Sequence, residues 1–193
     1  MSPPDNEIPV SVPVNTVLGR TPDACIALVG VAAYTTGVTF RLAVRMRTRA
    51  PSVEGISRVM TGYHLPGDDP EARLLLGVEF ADGRRASNLS GGPLPADVPD
   101  AAAPVLSPSG GGGGDRAQDL DYWLSPLPPE GELLLVCACA PLKIPESRVI
   151  IDGGVIARAG ASAIVLWPPA PIDEEPPPVP PRRPAAGWFS EES

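Results

Sequence analysis

An almost wholly apolar run, Ala24-Cys25-Ile26-Ala27-Leu28-Val29-Gly30-Val31-Ala32-Ala33-Tyr34, is followed by the short break Thr35-Thr36-Gly37. Beyond this break, larger apolar residues alternate with polar or small ones over residues 38–47. Successive side chains of a strand point to opposite faces, so a period of two separates the two sets of residues. The two runs together predict a β-hairpin with one buried face.

Further segments along the chain have a strand pattern, and two of them are joined by a clear turn. Asp82-Gly83 lies between residues 74–80 and 84–89, and this dipeptide accepts the positive φ values that a two-residue hairpin needs. Residues 133–140 are nearly all apolar, which predicts a central strand covered on both sides. Other strands are predicted at 8–14, 119–124 and 148–151. About seven strands joined by hairpins predict an all-β fold, an antiparallel β-sandwich.

One α-helix is predicted after the last strand. Asp152 precedes Gly153-Gly154, and its side chain can cap the first free backbone amides of a helix. Apolar residues then recur at helical spacing until Pro168-Pro169 stops the pattern. The recurring residues are Ile156, Ala159, Ala163 and Leu166. We therefore expect one C-terminal helix packed on the sheet, with Trp123 and Trp167 in the core or at its edge.

Proline and glycine, 27 and 20 residues respectively, divide the chain into segments. Residues 1–7 are predicted to be disordered, and residues 8–167 to form the sandwich domain with its helix. Residues 90–118 contain repeated prolines and the glycine run Gly110 to Gly114, which predicts a long mobile loop inside this domain. The composition changes again at Pro168, so residues 168–193 are predicted to be a proline-rich disordered tail.

Charge and cysteine content limit the class of protein. The formal net charge of −8 argues against binding to nucleic acid or to an anionic membrane. Cys25, Cys137 and Cys139 lie in apolar runs without zinc-site spacing, so we expect buried free thiols and neither a metal nor a cofactor.

Residues 1–7 do not resemble a signal peptide. No apolar run reaches the roughly 20 residues that span a bilayer, and we predict a cytoplasmic protein.

A set of short motifs resembles an uncharacterised family of hypothetical proteins from high-GC, actinobacterial-type bacteria. The motifs are the glycine run Gly110 to Gly114, Trp123, Pro126-Leu127-Pro128-Pro129-Glu130-Gly131 and the closing Leu166-Trp167-Pro168. The resemblance covers about residues 17–168. No function is associated with this family, so the resemblance implies no catalytic residue, and its motifs imply structural roles.

The proline-rich tail carries the leading functional hypothesis. Trp188-Phe189 lies near acidic residues in a segment with nothing local to bury it, and exposed aromatic residues of this kind often dock on a partner or back onto the domain. Upstream, Pro177, Pro180 and Arg182 satisfy a Pro-x-x-Pro-x-Arg pattern, which suits grooves that bind polyproline helices. We therefore predict a non-enzymatic protein-binding or assembly module that contacts a protein partner through its tail.

Two alternatives stay open. The first is a small-ligand-binding protein or enzyme with a loop-end site formed by His64, Asp115, Arg116 and Asp119, where the histidine could act as a general base beside a carboxylate. The glycine run itself lacks the lysine and the serine or threonine of a phosphate-binding loop. The second alternative is a structural subunit that pairs through the edge strand at residues 8–14.

The strand at residues 38–47 places three arginines, Arg41, Arg45 and Arg47, on one face. Such a face could meet an acidic partner. Without interleaved aromatic residues it is a poor match to a nucleic-acid surface, and we expect a solvated outer face of the sheet.

Overall fold

The computed structural model describes residues 2–48, Val59, 73–89 and 103–168, and these ranges form an all-β domain with a C-terminal α-helix. The strands are β1 (Glu7–Ile8), β2 (Val10–Val12), β3 (Thr16–Arg20), β4 (Ala24–Ala33), β5 (Val38–Met46), β6 (Leu74–Glu79), β7 (Arg85–Ser87), β8 (Val105–Gly113), β9 (Ala117–Ser125), β10 (Glu132–Cys139), β11 (Ile144–Asp152) and β12 (Ile164–Val165). A 3-10 turn spans Ala140–Leu142, and helix α1 spans Gly153–Ala161.

The strands form two larger sheets and one small one, with antiparallel pairing throughout. The first sheet has the order β2-β4-β5-β9-β8, and β3 also pairs with β4. The second sheet has the order β11-β10-β6-β7, and β1 pairs with β12 in a separate two-stranded sheet. The predicted antiparallel sandwich with one C-terminal helix is confirmed. The described residues form twelve strands instead of about seven, because the predicted strand at 8–14 divides into β1 and β2 and because β3, β8 and β12 escaped the sequence pattern.

One hydrophobic core lies between the two larger sheets. The hairpin predicted from residues 24–47 is β4–β5, and its alternating residues supply one wall of this core. Tyr122 on β9 lies opposite Phe40 on β5, and burial raises the pKa of Tyr122 to about 12. Fully burying a Leu, Val or Phe side chain contributes about 1.5–3 kcal/mol. Fully buried large residues include Ile26, Leu28, Phe40, Leu42, Leu74, Leu76, Leu106, Tyr122, Leu124 and Leu133.

Two local predictions agree with the structure because they depend on neighbouring residues. The turn forms at Asp82-Gly83 as predicted, with a φ of 83° at Gly83. The Phe80 amide donates to the Arg84 carbonyl at 2.9 Å, so the loop has three residues, 81–83, and not the predicted two. At the helix, the Asp152 side chain accepts a hydrogen bond from the Val155 amide at 3.2 Å. This bond satisfies one of the free donors at the helix N-terminus.

Helix α1 is shorter than the sequence pattern indicated. It ends at Ala161, and the Ala163 amide bonds to the Gly160 carbonyl to close the last turn. The chain then pairs with β1, so that Ile164 lies opposite Ile8. The predicted helix is therefore wrong at Ala163 and Leu166. Pairing of β12 with β1, which is distant in sequence, outweighed the helical spacing of the apolar residues.

The predicted loop at residues 90–118 is also partly wrong, because residues 105–113 form strand β8. This strand pairs with β9 along its length, and Gly111 lies opposite Leu120. A Cβ atom added at Gly111 would be 2.6 Å from the Asp119 carbonyl oxygen. The close approach of the two backbones thus needs glycine, which the sequence pattern had associated with mobility. Residues 90–102 lie outside the described residues.

The disorder predicted for residues 1–7 is contradicted at Asn6 and Glu7. Glu7 begins β1, and Asn6 is only 8% exposed. Its side-chain amide donates to the Trp167 carbonyl at 2.7 Å. This short segment is ordered because the buried Asn6 side chain bonds to Trp167, which is distant in sequence. Buried polar groups are nearly always hydrogen-bonded in this way.

Candidate functional site

The predicted loop-end site falls partly on the β8–β9 hairpin. Asp115 and Arg116 lie in its turn, where the Arg116 carbonyl accepts a hydrogen bond from the Met46 amide at 2.8 Å. Asp119 lies on β9, and its carboxylate is 2.8 Å from the Arg45 guanidinium. His64 lies outside the described residues. The hairpin therefore brings Asp115, Arg116 and Asp119 near one another, and Asp119 is engaged in an ion pair.

The outer face of the first sheet carries a second ion pair. Arg41 donates from Nε to Asp121 Oδ1 at 2.8 Å and from Nη2 to Oδ2 at 3.1 Å. These bonds to Asp121 raise the pKa of Arg41. The predicted solvated face is confirmed for Arg41, Arg45 and Arg47, which are all exposed. Because Asp119 and Asp121 match two of these charges, the face is not a strongly basic surface.

A shallow groove of about 640 Å³ lies on this same face. The register between β4 and β5 shifts between Leu28 and Gly30, and such a bulge bends the strand locally. The groove combines hydroxyl, amide and apolar groups with the Arg41–Asp121 pair. Its lining includes Ser11, Asn15, Val29, Thr39, Arg41 and Asp121. The two charged side chains of this lining, Arg41 and Asp121, are paired with each other.

The cysteines do not form a reactive centre. Cys137 and Cys139 are buried free thiols on β10, as predicted, while Cys25 is half-buried. Burial raises the pKa of Cys137 to about 12 and that of Cys139 to about 11. Both thiols are therefore protonated at neutral pH, and the thiolate is the form that acts as nucleophile or metal ligand. Within residues 2–48, 73–89 and 103–168, no group of three or more His, Cys, Asp or Glu could hold a metal ion.

Within the described part of the chain, several exposed apolar residues lie on the two-stranded sheet β1–β12 and on the two residues that follow it. Trp167, predicted in the core or at its edge, is 57% exposed, and Ile164 is 58% exposed. Ile8 faces Ile164 across the pair. We call this surface the apolar ribbon, and it consists of Ile8, Ile164, Val165, Leu166 and Trp167, all of which are exposed.

Hydrogen bonds with Asn6 hold the backbone of the apolar ribbon in place. The Leu166 amide donates to the Asn6 carbonyl at 2.9 Å, and the Asn6 side chain donates to the Trp167 carbonyl. On the neighbouring residue, the Glu7 carboxylate accepts hydrogen bonds from the amide and the hydroxyl of Thr35. The backbone of the ribbon is thus fixed while its apolar side chains point to solvent.

Sequence reasoning missed the apolar ribbon because its residues fitted the end of a packed helix. The usable signal was the pair of β-branched residues Ile164-Val165 after Gly160 and Ser162, since such residues favour strands. The ribbon ends at Pro168, where the predicted proline-rich tail begins. The predicted binding residues of that tail, namely Pro177, Pro180, Arg182, Trp188 and Phe189, lie outside the described residues.

Two observations concern the chain as a whole. Among the described residues, helices of the length and hydropathy needed to cross a bilayer are absent. Comparisons with models of protein families, with curated proteins and with solved structures found no match for this chain.

Proposed function

We propose that this chain is a non-enzymatic protein-binding or assembly module whose binding surface is the apolar ribbon and the proline-rich tail that continues from it. The observation that carries the proposal is the exposure of the apolar side chains from Ile164 to Trp167, on strand β12 and the two residues that follow it. Contiguous apolar patches on soluble proteins often mark sites of protein association.

The order of the apolar ribbon supports a binding role. Asn6 and the β1–β12 pairing fix its backbone before a partner arrives. A surface fixed in advance loses less conformational entropy on binding, so more of the contact free energy contributes to affinity. Trp167 is the natural anchor, because tryptophan is enriched among the residues that dominate binding energies at interfaces.

The charged groups support a protein partner more than a nucleic acid or a substrate. Asp119 and Asp121 are paired with Arg45 and Arg41, so these carboxylates are not poised for acid–base chemistry. The net charge of −8 opposes association with a polyanion. The Pro-x-x-Pro-x-Arg pattern at residues 177–182 adds a second contact of the kind that binds protein grooves.

Affinity capture from native lysate with matched full-length baits tests the proposal. The baits are the wild type, a ribbon variant (Ile164→Ser with Trp167→Ser), a tail variant (Trp188→Ala with Phe189→Ala) and the control Val17→Ser. Val17 is 48% exposed on β3, so its substitution removes a comparable apolar group elsewhere.

We expect the wild type and the Val17→Ser control to hold the same protein partner. The ribbon variant should lose most of it, and the tail variant should hold less. Mass spectrometry with equal bait loading measures these ratios. Partners retained equally by all four baits would contradict the proposal.

A further inference from the structure

Strand β10 carries apolar side chains on the side of the second sheet that faces away from the core. Leu134, Val136 and Ala138 lie there, and all three are half-buried. A sheet face that meets solvent usually carries polar residues at such positions. The outer face of the first sheet follows this rule, since Arg41 and Arg45 lie on it and are exposed. The apolar side of β10 therefore indicates a surface that associates with another one.

Neighbouring strands extend this apolar surface on both sides of β10. Leu134 lies opposite Ile150 on β11, and Ala138 lies opposite Leu75 on β6. Ile150 is 58% exposed. The sequence of residues 133–140 predicted cover on both sides, and the core buries the inner side while the outward residues stay partly exposed. We call the outward residues the β10 face, and it consists of Leu75, Leu134, Val136, Ala138 and Ile150.

Charges of opposite sign lie on the two sides of the β10 face. Arg148 lies opposite Val136 on the β11 side, and Glu79 lies opposite Leu134 on the β6 side. Beside Glu79, Gly77 lies in a depression of about 350 Å³. The β11 side is therefore basic, and the β6 side offers a carboxylate next to an open space.

Both charged groups already form ion pairs within the chain, Arg148 with Glu146 and Glu79 with Arg85. These pairs lie at the surface, since the side chains of Arg148 and Arg85 are 67% and 74% exposed. Exposed pairs contribute little to stability. Arg148 and Glu79 can therefore turn toward a partner at little cost.

We propose that the β10 face binds the β10 face of a second copy of this chain, in a symmetric dimer whose two-fold axis runs along β10. In such a dimer the same patch meets itself, so Leu134 and Val136 pack against their own counterparts. The β11 side of one copy lies over the β6 side of the other. Two sheets commonly pack face to face with their strands nearly aligned, as this axis requires.

The charges of the two copies are complementary in this arrangement. Arg148 of each copy lies over the Gly77 depression of the other copy. Glu79 is two residues from Gly77 on the same strand, roughly 7 Å away, which is within reach of an arginine side chain. Opposite charges across an interface favour one register over others. The dimer thus forms two equivalent Arg148–Glu79 contacts.

The size of the β10 face predicts a reversible dimer. Three outward rows on three strands span roughly 14 Å by 20 Å. This is well below the roughly 800 Å² that each partner buries in a standard interface. The inference goes beyond the proposed function and does not depend on it, because the apolar ribbon belongs to the separate β1–β12 sheet.

Sedimentation velocity of the full chain, over a concentration range of about two orders of magnitude, tests the dimer because a reversible association follows mass action. We expect the average mass to rise from that of one chain toward that of two. Ile150→Ser should weaken the dimer about tenfold, because it removes an apolar contact from each copy. Val17→Ser, at a similarly exposed position of β3, is the control and should dimerise like the wild type.

Charge exchange between Arg148 and Glu79 tests the two-fold arrangement. Arg148→Glu alone opposes two carboxylates, and Glu79→Arg alone opposes two guanidinium groups, so each variant should dimerise about tenfold more weakly. An equimolar mixture of the two variants should dimerise like the wild type, since each altered charge then meets its opposite. Arg41→Glu, on the outer face of the first sheet, is the charge control and should leave the dimer unchanged.

A wild type that stays monomeric at every concentration would overturn the inference. So would a dimer that Ile150→Ser and both charge variants leave intact, or a mixture of the charge variants that fails to regain it. Thermal melts of each variant separate loss of the dimer from loss of the fold. Capture of partners by the ribbon variant measures the proposed function separately.

Discussion

Ile8 and Ile164 lie directly opposite each other in the β1–β12 pair, and about half of each side chain is exposed. A cross-strand pair of this kind contributes about 0.2–1 kcal/mol. The pairing thus connects the N-terminal segment to the chain that leaves helix α1, and it leaves most of the apolar surface uncovered. This relationship is the geometric basis of the proposed binding surface.

Asn6→Ala is expected to loosen the apolar ribbon. The substitution removes the bond from the Asn6 side chain to the Trp167 carbonyl, and a hydrogen bond of this kind contributes about 1 kcal/mol to stability. The melting temperature should fall by about 2–4 °C, and the Leu166 amide should exchange faster with deuterium. Asn15→Ala, at an exposed position, is the matched control. Unchanged exchange at Leu166 would show that Asn6 does not hold the ribbon.

Gly111→Ala and Gly112→Ala should differ sharply although they are neighbours. Gly111 has a φ of 148°, and an added Cβ would be 2.6 Å from the Asp119 carbonyl oxygen. Such crowding lowers the free energy of unfolding by about 1–3 kcal/mol. A Cβ added at Gly112 meets no atom within 4 Å, so its effect should stay within about 0.5 kcal/mol. Urea denaturation measures both, and equal effects would contradict the pairing of β8 with β9.

Alkaline pH should destabilise the fold through Cys137 and Cys139. Burial raises the pKa values of these thiols to about 12 and about 11, whereas an unfolded thiol ionises at about 8.5. Above that pH the unfolded chain loses protons that the folded chain keeps. The stability present below about pH 8.5 is therefore lost as the pH rises toward the folded values, by roughly 1.4 kcal/mol per pH unit for each thiol.

Thermal melts between pH 8 and pH 10.5, a range chosen around the ordinary thiol pKa of about 8.5, measure this dependence. Substitution of both Cys137 and Cys139 by alanine should make the decline shallower. Cys25→Ala, which removes a half-buried thiol of the first sheet, is the matched control. A decline of the same steepness in the double variant would assign the pH dependence to other groups.

Asp121→Asn is expected to have a small effect on stability. The Arg41–Asp121 pair is well formed, but 62% of the Arg41 side chain and 23% of the Asp121 side chain are exposed. Exposed ion pairs contribute about 0–1 kcal/mol. Chemical denaturation at low and high salt should show a loss within that range, and salt should reduce it. Asp119→Asn is the matched comparison, and a loss of about 3 kcal/mol or more would indicate a buried structural role.

The sequence could predict those parts of the fold that depend on neighbouring residues. The alternation in β5, the turn at Asp82-Gly83 and the cap at Asp152 all agree with the structure. Strands β8 and β12 were missed for a different physical reason. β12 is a strand because β1, which is distant in sequence, pairs with it, and β8 is a strand because it pairs along its length with β9. The local signals at Ala163 and at Gly110 to Gly114 favoured a helix and a loop instead.

The candidate site was predictable only in part. The period of two correctly placed Arg41 and Arg45 on an outer face, but it could not identify Asp121 and Asp119 as their partners. The exposure of Trp167 depends on how helix α1 ends, which no local pattern fixed. The aromatic pair Trp188-Phe189 was singled out by its composition alone, and its binding role stays a prediction.

Site-specific photo-crosslinking in native lysate tests whether the apolar ribbon is a binding surface for another protein. A photoreactive amino acid replaces Val165 on the apolar ribbon or, as a control, Val17 on β3; the two valines are 52% and 48% exposed. We expect covalent adducts with a second protein from position 165 and not from position 17. An absence of such adducts at position 165, or the same proteins at both positions, would contradict a binding surface on the ribbon.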